Sequence, residues 1–250
     1  MARKPQPTSS PFSSAQFNKF KAKYHMNNFI KCIVLIGLFS NIGSSFAGSY
    51  IDFFRALLRD DAYTTRLFLA EGFDPNTVSE NAQPALLYAL RQESYKSAKV
   101  LIADPRTQLN QTNPQGENPL MMAALKEQTA LVEQLLARGA AINKPGWSPL
   151  HYAAASAKTD ILAILLAHDA DLNAASPNGT TPLMMAARYG SPHSVKLLLA
   201  AGANPELKNQ NGLSALDFAR QGVRPDAQKI LEQALDQPQW PDSPDQPMQY

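Results

Sequence analysis

Apolar positions along this chain fall into paired helical stripes. The second stripe of each pair reads i, i+1, i+4, i+5: Leu131-Val132 with Leu135-Leu136, Ile161-Leu162 with Leu165-Leu166, and Ser194-Val195 with Leu198-Leu199. That spacing puts all four positions on one face of a helix. Each stripe runs into a stop at Gly139, Asp169 or Gly202. There a helix ending calls for positive φ, which Gly adopts freely and Asp tolerates at some cost. Ahead of each stripe stands a shorter segment of one design: Asn118-Pro119-Leu120-Met121-Met122-Ala123-Ala124, Ser148-Pro149-Leu150-His151-Tyr152-Ala153-Ala154 and Thr181-Pro182-Leu183-Met184-Met185-Ala186-Ala187. Degenerate copies surround Leu86 and Leu216, so the leucines at 86, 120, 150, 183 and 216 are separated by 34, 30, 33 and 33 residues. A fixed period of this length marks stacked supersecondary units.

The local chemistry agrees with that reading. The hydroxyl of Ser148 or Thr181 can cap the free N–H groups of a first turn, and Pro at the first helical position loses no hydrogen bond. The alanine pairs 123–124, 153–154 and 186–187 let the first helix press closely on its neighbours. Between units lie turn formers suited to tight hairpins: Pro114-Gln115-Gly116, Pro145-Gly146, Pro177-Asn178-Gly179 and Asn211-Gly212.

These heads and tails resemble ankyrin repeats, whose unit is a β-turn followed by two antiparallel helices, with a Thr-Pro-Leu-His-x-Ala-Ala head and a Leu-Leu-x-x-Gly-Ala tail. The resemblance covers about residues 80–235 and implies an all-α solenoid. Met121 and Met184 stand where the motif has His, Asp169 replaces the capping Gly, and Pro105 stands where the first clear repeat would also have its Gly.

The stack extends at both ends, to about six units including caps. Phe53, Phe54, Leu57 and Leu58, then Leu67, Phe68 and Leu69, lead to Gly72, and Phe53 precedes Gly72 by the 19 residues that separate Leu120 from Gly139. The charged Arg55, Arg59, Asp60 and Asp61 suit an end unit with one face in water. This gives a capping repeat over 48–79, repeats over 80–213 and a second cap over 214–235, bearing Lys229, Glu232 and Gln233. The segment 236–250, with prolines at 238, 241, 244 and 247, is expected to be disordered.

Residues 1–47 form a basic extension and a signal peptide. Lys31 precedes the apolar run Cys32-Ile33-Val34-Leu35-Ile36-Gly37-Leu38-Phe39, and Ser45-Phe46-Ala47 places small residues around a cut after Ala47. The run is too short to span a bilayer, which takes about 20 apolar residues. A buried core helix and an uncleaved anchor are the competing readings. Residues 1–25 are either a long n-region or lie upstream of a true start at Met26.

Removing this segment changes the charge picture. The formal charge of +2 contains six cations before residue 48 and no acid there, so subtracting six from 23 leaves 17 basic against 21 acidic side chains. Without a basic stripe, nucleic-acid binding is disfavoured. Cys32 is the one cysteine, so a mature chain has no thiol for disulfide, metal or nucleophile chemistry. It is a poor lipoprotein site, since Phe29-Ile30-Lys31 precede it. No nucleophile elbow, phosphate-cradling Gly loop or zinc pattern is present. His151 belongs to a repeat head and is expected to make a structural hydrogen bond, His168 to serve a helix C-terminus, and His193 to lie on the surface. No catalysis, cofactor or metal is expected. Met121, Met122, Met184, Met185, Tyr88, Tyr152 and Phe218 read as core.

The resemblance implies a binding surface along the hairpin tips and the free face of each first helix. Positions that the repeat leaves open there are Glu117, Trp147, Thr180 and Leu213, together with Lys126, Arg188 and Tyr189. The loop from Asn143 to Pro149 is three residues shorter than that from Asn173 to Pro182, and the deletion is expected to notch the surface between Lys126 and Arg188 with Trp147 at its floor. Trp147 either anchors a partner, as exposed Trp, Tyr and Arg do at hot spots, or folds against its own hairpin. The function expected is that of a monomeric, exported, non-catalytic scaffold of the signal-peptide-bearing bacterial type. It would be periplasmic or secreted, off the membrane once cleaved, and bound to an unidentified protein. The alternative is a secreted effector that binds a host protein.

Overall fold

The computed structural model describes residues 43–236, with side chains from Gly48 onward. The expected signal sequence up to residue 42 and the tail from 237 lie outside the described residues, and the cut expected after Ala47 falls within the first helix. Among the described residues there are twelve helices and one isolated antiparallel bridge, Val78 to Pro84. The helices pair as α1 (Gly43–Leu58) with α2 (Ala62–Ala70), α3 (Ala85–Arg91) with α4 (Tyr95–Ala103), and α5 (Pro119–Leu125) with α6 (Thr129–Ala137). They continue as α7 (Pro149–Ala154) with α8 (Asp160–Ala167), α9 (Pro182–Tyr189) with α10 (Pro192–Ala200), and α11 (Ala215–Gln221) with α12 (Pro225–Leu235). This is the six-unit all-α solenoid that the periodicity predicts.

First helices pack in series from α3 to α5, α7, α9 and α11, and second helices form a row behind them. The alanine pairs account for the closeness of the first row: Ala123, Ala124, Ala153, Ala154, Ala186 and Ala187 are all buried. Met121, Met122, Met184 and Phe218 are buried as expected, whereas Tyr88, Tyr152 and Met185 are half-buried. In the N-terminal unit, Phe53 packs edge-on against Phe68 at 5.7 Å and lies 4.4 Å from Phe73, giving that unit an aromatic core. Leu58 and Leu67 do not join it. Each lies one helix position round from the buried or half-buried Leu57 and Phe68, and they are 56% and 44% exposed.

Helix ends follow the sequence closely. The side chains of Asn118 and Thr181 accept from the backbone N–H three residues on, with Pro at the first turn. Gly72, Gly139, Gly202 and Asp169 all adopt positive φ after second helices. At Pro105 the chain instead leaves α4 extended, with Asp104 at φ −72 and ψ 121. Side chains then tie one unit to the next. Asn76 Oδ1 accepts from the Gln108 N–H at 2.7 Å, Asn110 from Ala141 at 2.8 Å, Asn143 from Asp171 at 2.9 Å and Asn173 from Asn204 at 3.0 Å. Arg106 donates to the Leu69 carbonyl at 2.9 Å, and the Arg138 guanidinium donates to the Ile102 carbonyl, so each caps the second helix of the preceding unit.

Turns inside units hold left-handed residues that are not glycine: Asp60, Glu93, Glu127 and Val223. Val223 is the costly one, because a β-branched side chain at φ 52 meets its own backbone, and at 80% exposure no packing repays it. Val223→Asn is therefore expected to raise stability by about 1 kcal/mol, since Asn tolerates this region. Urea titration would show it as a higher midpoint at unchanged slope, and an unchanged midpoint would count against the strain.

Candidate functional site

The hairpins build the surface where the candidate residues sit. Four close with one backbone bond from the first residue to the fifth: Ser79 N–H to the Gln83 carbonyl at 2.8 Å, Asn113 to Glu117 at 3.0 Å, Ser176 to Thr180 at 3.0 Å and Asn209 to Leu213 at 3.0 Å. Among the described residues the shortened hairpin makes no such bond. The Lys144 ammonium takes its place, donating to the carbonyls of Pro145 at 3.1 Å and Trp147 at 3.0 Å. The deletion does leave a recess of about 320 Å³, lined by Asn143 to Gly146 and Ser148 on one side and Asp171, Ala174 and Ala175 on the other. Trp147, Lys126 and Arg188 do not line it. The notch expected with Trp147 at its floor is therefore corrected: losing three residues turns the indole along α7 and away from the recess.

Trp147 is half-buried. Its ring meets His151 edge-on at 5.1 Å between centroids and Tyr152 at 6.5 Å. Tyr152 in turn places its hydroxyl 3.4 Å from Glu117 Oε1, while Glu117 Oε2 accepts from Asn113 Nδ2 at 2.7 Å and pairs with Arg91 at 3.3 Å. Burial, then the charge of Glu117 and the contact with it, push the Tyr152 phenol up to about 12, so it stays a donor at neutral pH. Arg91, Glu117, Tyr152 and Trp147 thus form one polar and aromatic patch across three consecutive units. Arg91 was not among the expected residues, and the signal for it was its register, five residues after Leu86 as Arg188 is after Leu183.

The remaining candidates separate. Arg188 donates to Gln221 at 3.0 Å and lies 5.3 Å from the ring of Tyr189, which is 52% exposed, so these two form a second patch. Lys126 pairs with Glu93 at 2.7 Å across units. Leu213 is half-buried and closes its own hairpin. Thr180 is corrected outright: it is 2% exposed, because its N–H binds Ser176 Oγ at 2.9 Å inside the hairpin, and its side chain offers nothing to a partner. Leu125, which follows the alanine pair beside Lys126, is 45% exposed.

His151 has the structural role expected of it. Fully buried, it accepts the Ser148 N–H on Nδ1 at 3.1 Å and donates from Nε2 to the Thr180 carbonyl at 2.9 Å, which is the neutral tautomer. Desolvation lowers its pKa. At the equivalent position Met184 offers its sulfur to the Thr181 N–H at 3.4 Å and reaches no further. His168 ends α8 and His193 lies on α10, both exposed. No cluster of three or more His, Cys, Asp or Glu side chains that could hold a metal occurs among the described residues.

A family model described as ankyrin repeats (3 copies) matches residues 53–145, 103–176, 120–209 and 161–236, which together cover the helical pairs from Phe53 onward. No curated protein matches the chain.

Proposed function

The chain belongs to the ankyrin-repeat family, whose repeats mediate protein–protein interaction, and on that premise we propose that it is an exported adaptor, periplasmic or secreted, which captures a partner protein on its hairpin and first-helix side. The observation that carries the reading is the two patches: Arg91–Glu117–Tyr152–Trp147 on one group of units and Arg188–Tyr189 on the next. Both combine an aromatic ring with an arginine, the residue types that dominate binding energetics. Export is supported by the basic, apolar and small-residue succession of residues 26–47. The family is a non-catalytic interaction module, and the charges of Arg91 and Glu117 are spent on one another, which suits recognition more than turnover.

Capture from an envelope extract by wild type, Arg188→Ala, Tyr189→Ala and Trp147→Ala tests this directly. Arg188→Ala and Tyr189→Ala are expected to weaken capture of the same protein about tenfold or more while leaving thermal unfolding nearly unchanged, as loss of a hot spot does. Trp147→Ala should weaken capture and also cost about 1 kcal/mol, since aromatic pairs with His151 and Tyr152 are lost. Undiminished capture by all three would move the site elsewhere. Cell fractionation checks export separately, and a wholly cytoplasmic mature chain would refute it.

A further inference from the structure

A groove on the second-helix side, between α2 and α4, plays no part in the surface just described. It encloses about 640 Å³, within the range of ligand sites. Leu69, Val100 and Pro105 contribute its apolar lining, and Arg66, Lys96 and Lys99 also border it. All three cations are exposed, and none has a carboxylate partner among the described residues. The groove's own carboxylate, Asp104, is already held by Arg106 through Nη2 at 2.6 Å and Nε at 3.0 Å, which keeps its pKa low. Three unpaired cations gathered beside an apolar lining do nothing for the fold. They are complementary to an acidic segment carrying an apolar anchor.

This chain supplies such a segment. Residues 237–250 contain Asp242 and Asp245, no Lys, Arg or His, and the anchors Trp240, Met248 and Tyr250. Prolines at every third position, 238, 241, 244 and 247, suit a polyproline II conformation in the bound state, which lowers the entropy lost on docking. We propose that the groove between α2 and α4 receives the 237–250 segment of a second copy of this chain, with Trp240 on the apolar lining and Asp242 and Asp245 against Arg66, Lys96 and Lys99.

With Trp240 as the anchor, the donor is a second copy because of reach. From α4 to α12 the row of second helices takes four steps, about 32–40 Å at 8–10 Å per packed helix. Trp240 follows Asp236 by four residues, a reach of about 14 Å at full extension. Donor and acceptor are different surfaces, so the contact is head-to-tail and either propagates or closes into a ring. It departs from the monomer expected on sequence, and it stands or falls independently of the adaptor reading.

Sedimentation velocity over a concentration series tests the proposal with three proteins: the 250-residue chain, one ended after Asp236, and one carrying R66E, K96E and K99E. The intact chain is expected to associate with rising concentration, less so in high salt. Each variant alone should remain monomeric with an unchanged circular dichroism spectrum. Mixed together they should form a 1:1 complex, because one retains the groove and the other the segment. A labelled peptide of residues 237–250 should bind the shortened chain about tenfold or more tightly than the same shortened chain with the three charges reversed. Failure of the two folded variants to associate, equal peptide binding to both grooves, or association of the shortened chain alone would overturn the proposal. An unrelated acidic peptide binding as tightly as 237–250 would show a general acidic-segment site and overturn the second-copy assignment.

Discussion

Gly190→Ala is expected to destabilise the array by about 3 kcal/mol, the upper range for forcing atoms into a packed site. Gly190 ends α9 at φ −75 and ψ −168, a backbone shape open to any residue, so conformational freedom is not the reason for glycine here. Close approach is. A Cβ at this position would collide with the Ala154 carbonyl at the end of α7 and lie 2.9 Å from both Cα and O of Ala186. All of these are backbone or nearly so, and they cannot swing aside as a side chain tip would. The Gly190 carbonyl also accepts the Arg224 guanidinium from the following unit, so displacing it disturbs three consecutive units. Stability of a repeat array is close to a sum of unit and interface terms. Weakening the α7–α9 interface should therefore lower the midpoint and also broaden the transition into two steps. Calorimetry on wild type and Gly190→Ala would check both, and a single transition within about 1 kcal/mol of wild type would mean the close approach is relaxed in solution.

Much of this was legible in the sequence because the repeat writes its packing in residue types. Period, unit number, hairpin glycines and the Gly or Asp stops all appear where Leu86 to Leu216 place them, and even the Asp169 substitution takes the left-handed shape it was assigned. The interfaces between units were less legible. Asn76, Asn110, Asn143 and Asn173 carry no mark of a role in their local sequence, yet each spends its side chain on a backbone N–H about thirty residues on. No local pattern announces a partner that only the stack brings near. Left-handed Glu93, Glu127 and Val223 escaped for the opposite reason, since the tight turn between the two helices of a unit dictates their backbone whatever their own preference.

The candidate site was legible as a side of the molecule and less so as a set of residues. Register identified Glu117, Trp147, Arg188 and Tyr189 as positions free of the core, and these form the two patches. Register alone could not reveal that Thr180 would be enclosed by Ser176 and Asn178, or that shortening one hairpin would swing Trp147 toward His151. The first follows from side-chain bonds inside a full-length hairpin, and the second from a deletion whose missing backbone bond is replaced by the Lys144 ammonium. The same substitution explains why the recess and the aromatic patch are separate features of one deletion.

His151→Leu carries the other large effect, about 3 kcal/mol at pH 7.5. The change keeps the volume nearly constant but strands the Ser148 N–H in the interior and removes one of the two bonds the Thr180 carbonyl accepts, the other coming from the Ser176 N–H, and a buried unsatisfied group costs about 1–3 kcal/mol. The wild-type imidazole also makes stability depend on pH. Burial lowers its folded pKa below the unfolded value of about 6.5, so the unfolded chain binds the proton more readily. Its contribution is therefore complete above about pH 6.5 and is lost as pH falls from there through the folded pKa, with a slope of at most about 1.4 kcal/mol per pH unit. Carboxylates held low by hydrogen bonds, such as Asp61 with Thr64, Asp104 with Arg106 and Asp217 with Ser214, also weaken the fold in acid, but only below the ordinary carboxylate range near pH 4. Between pH 5 and 7 the two effects are separable. Denaturant titrations across that window should show wild type losing stability and His151→Leu nearly flat, so that the two curves converge as pH falls. Parallel curves would mean that the imidazole is not held neutral by burial and that its bridge from Ser148 to Thr180 survives protonation.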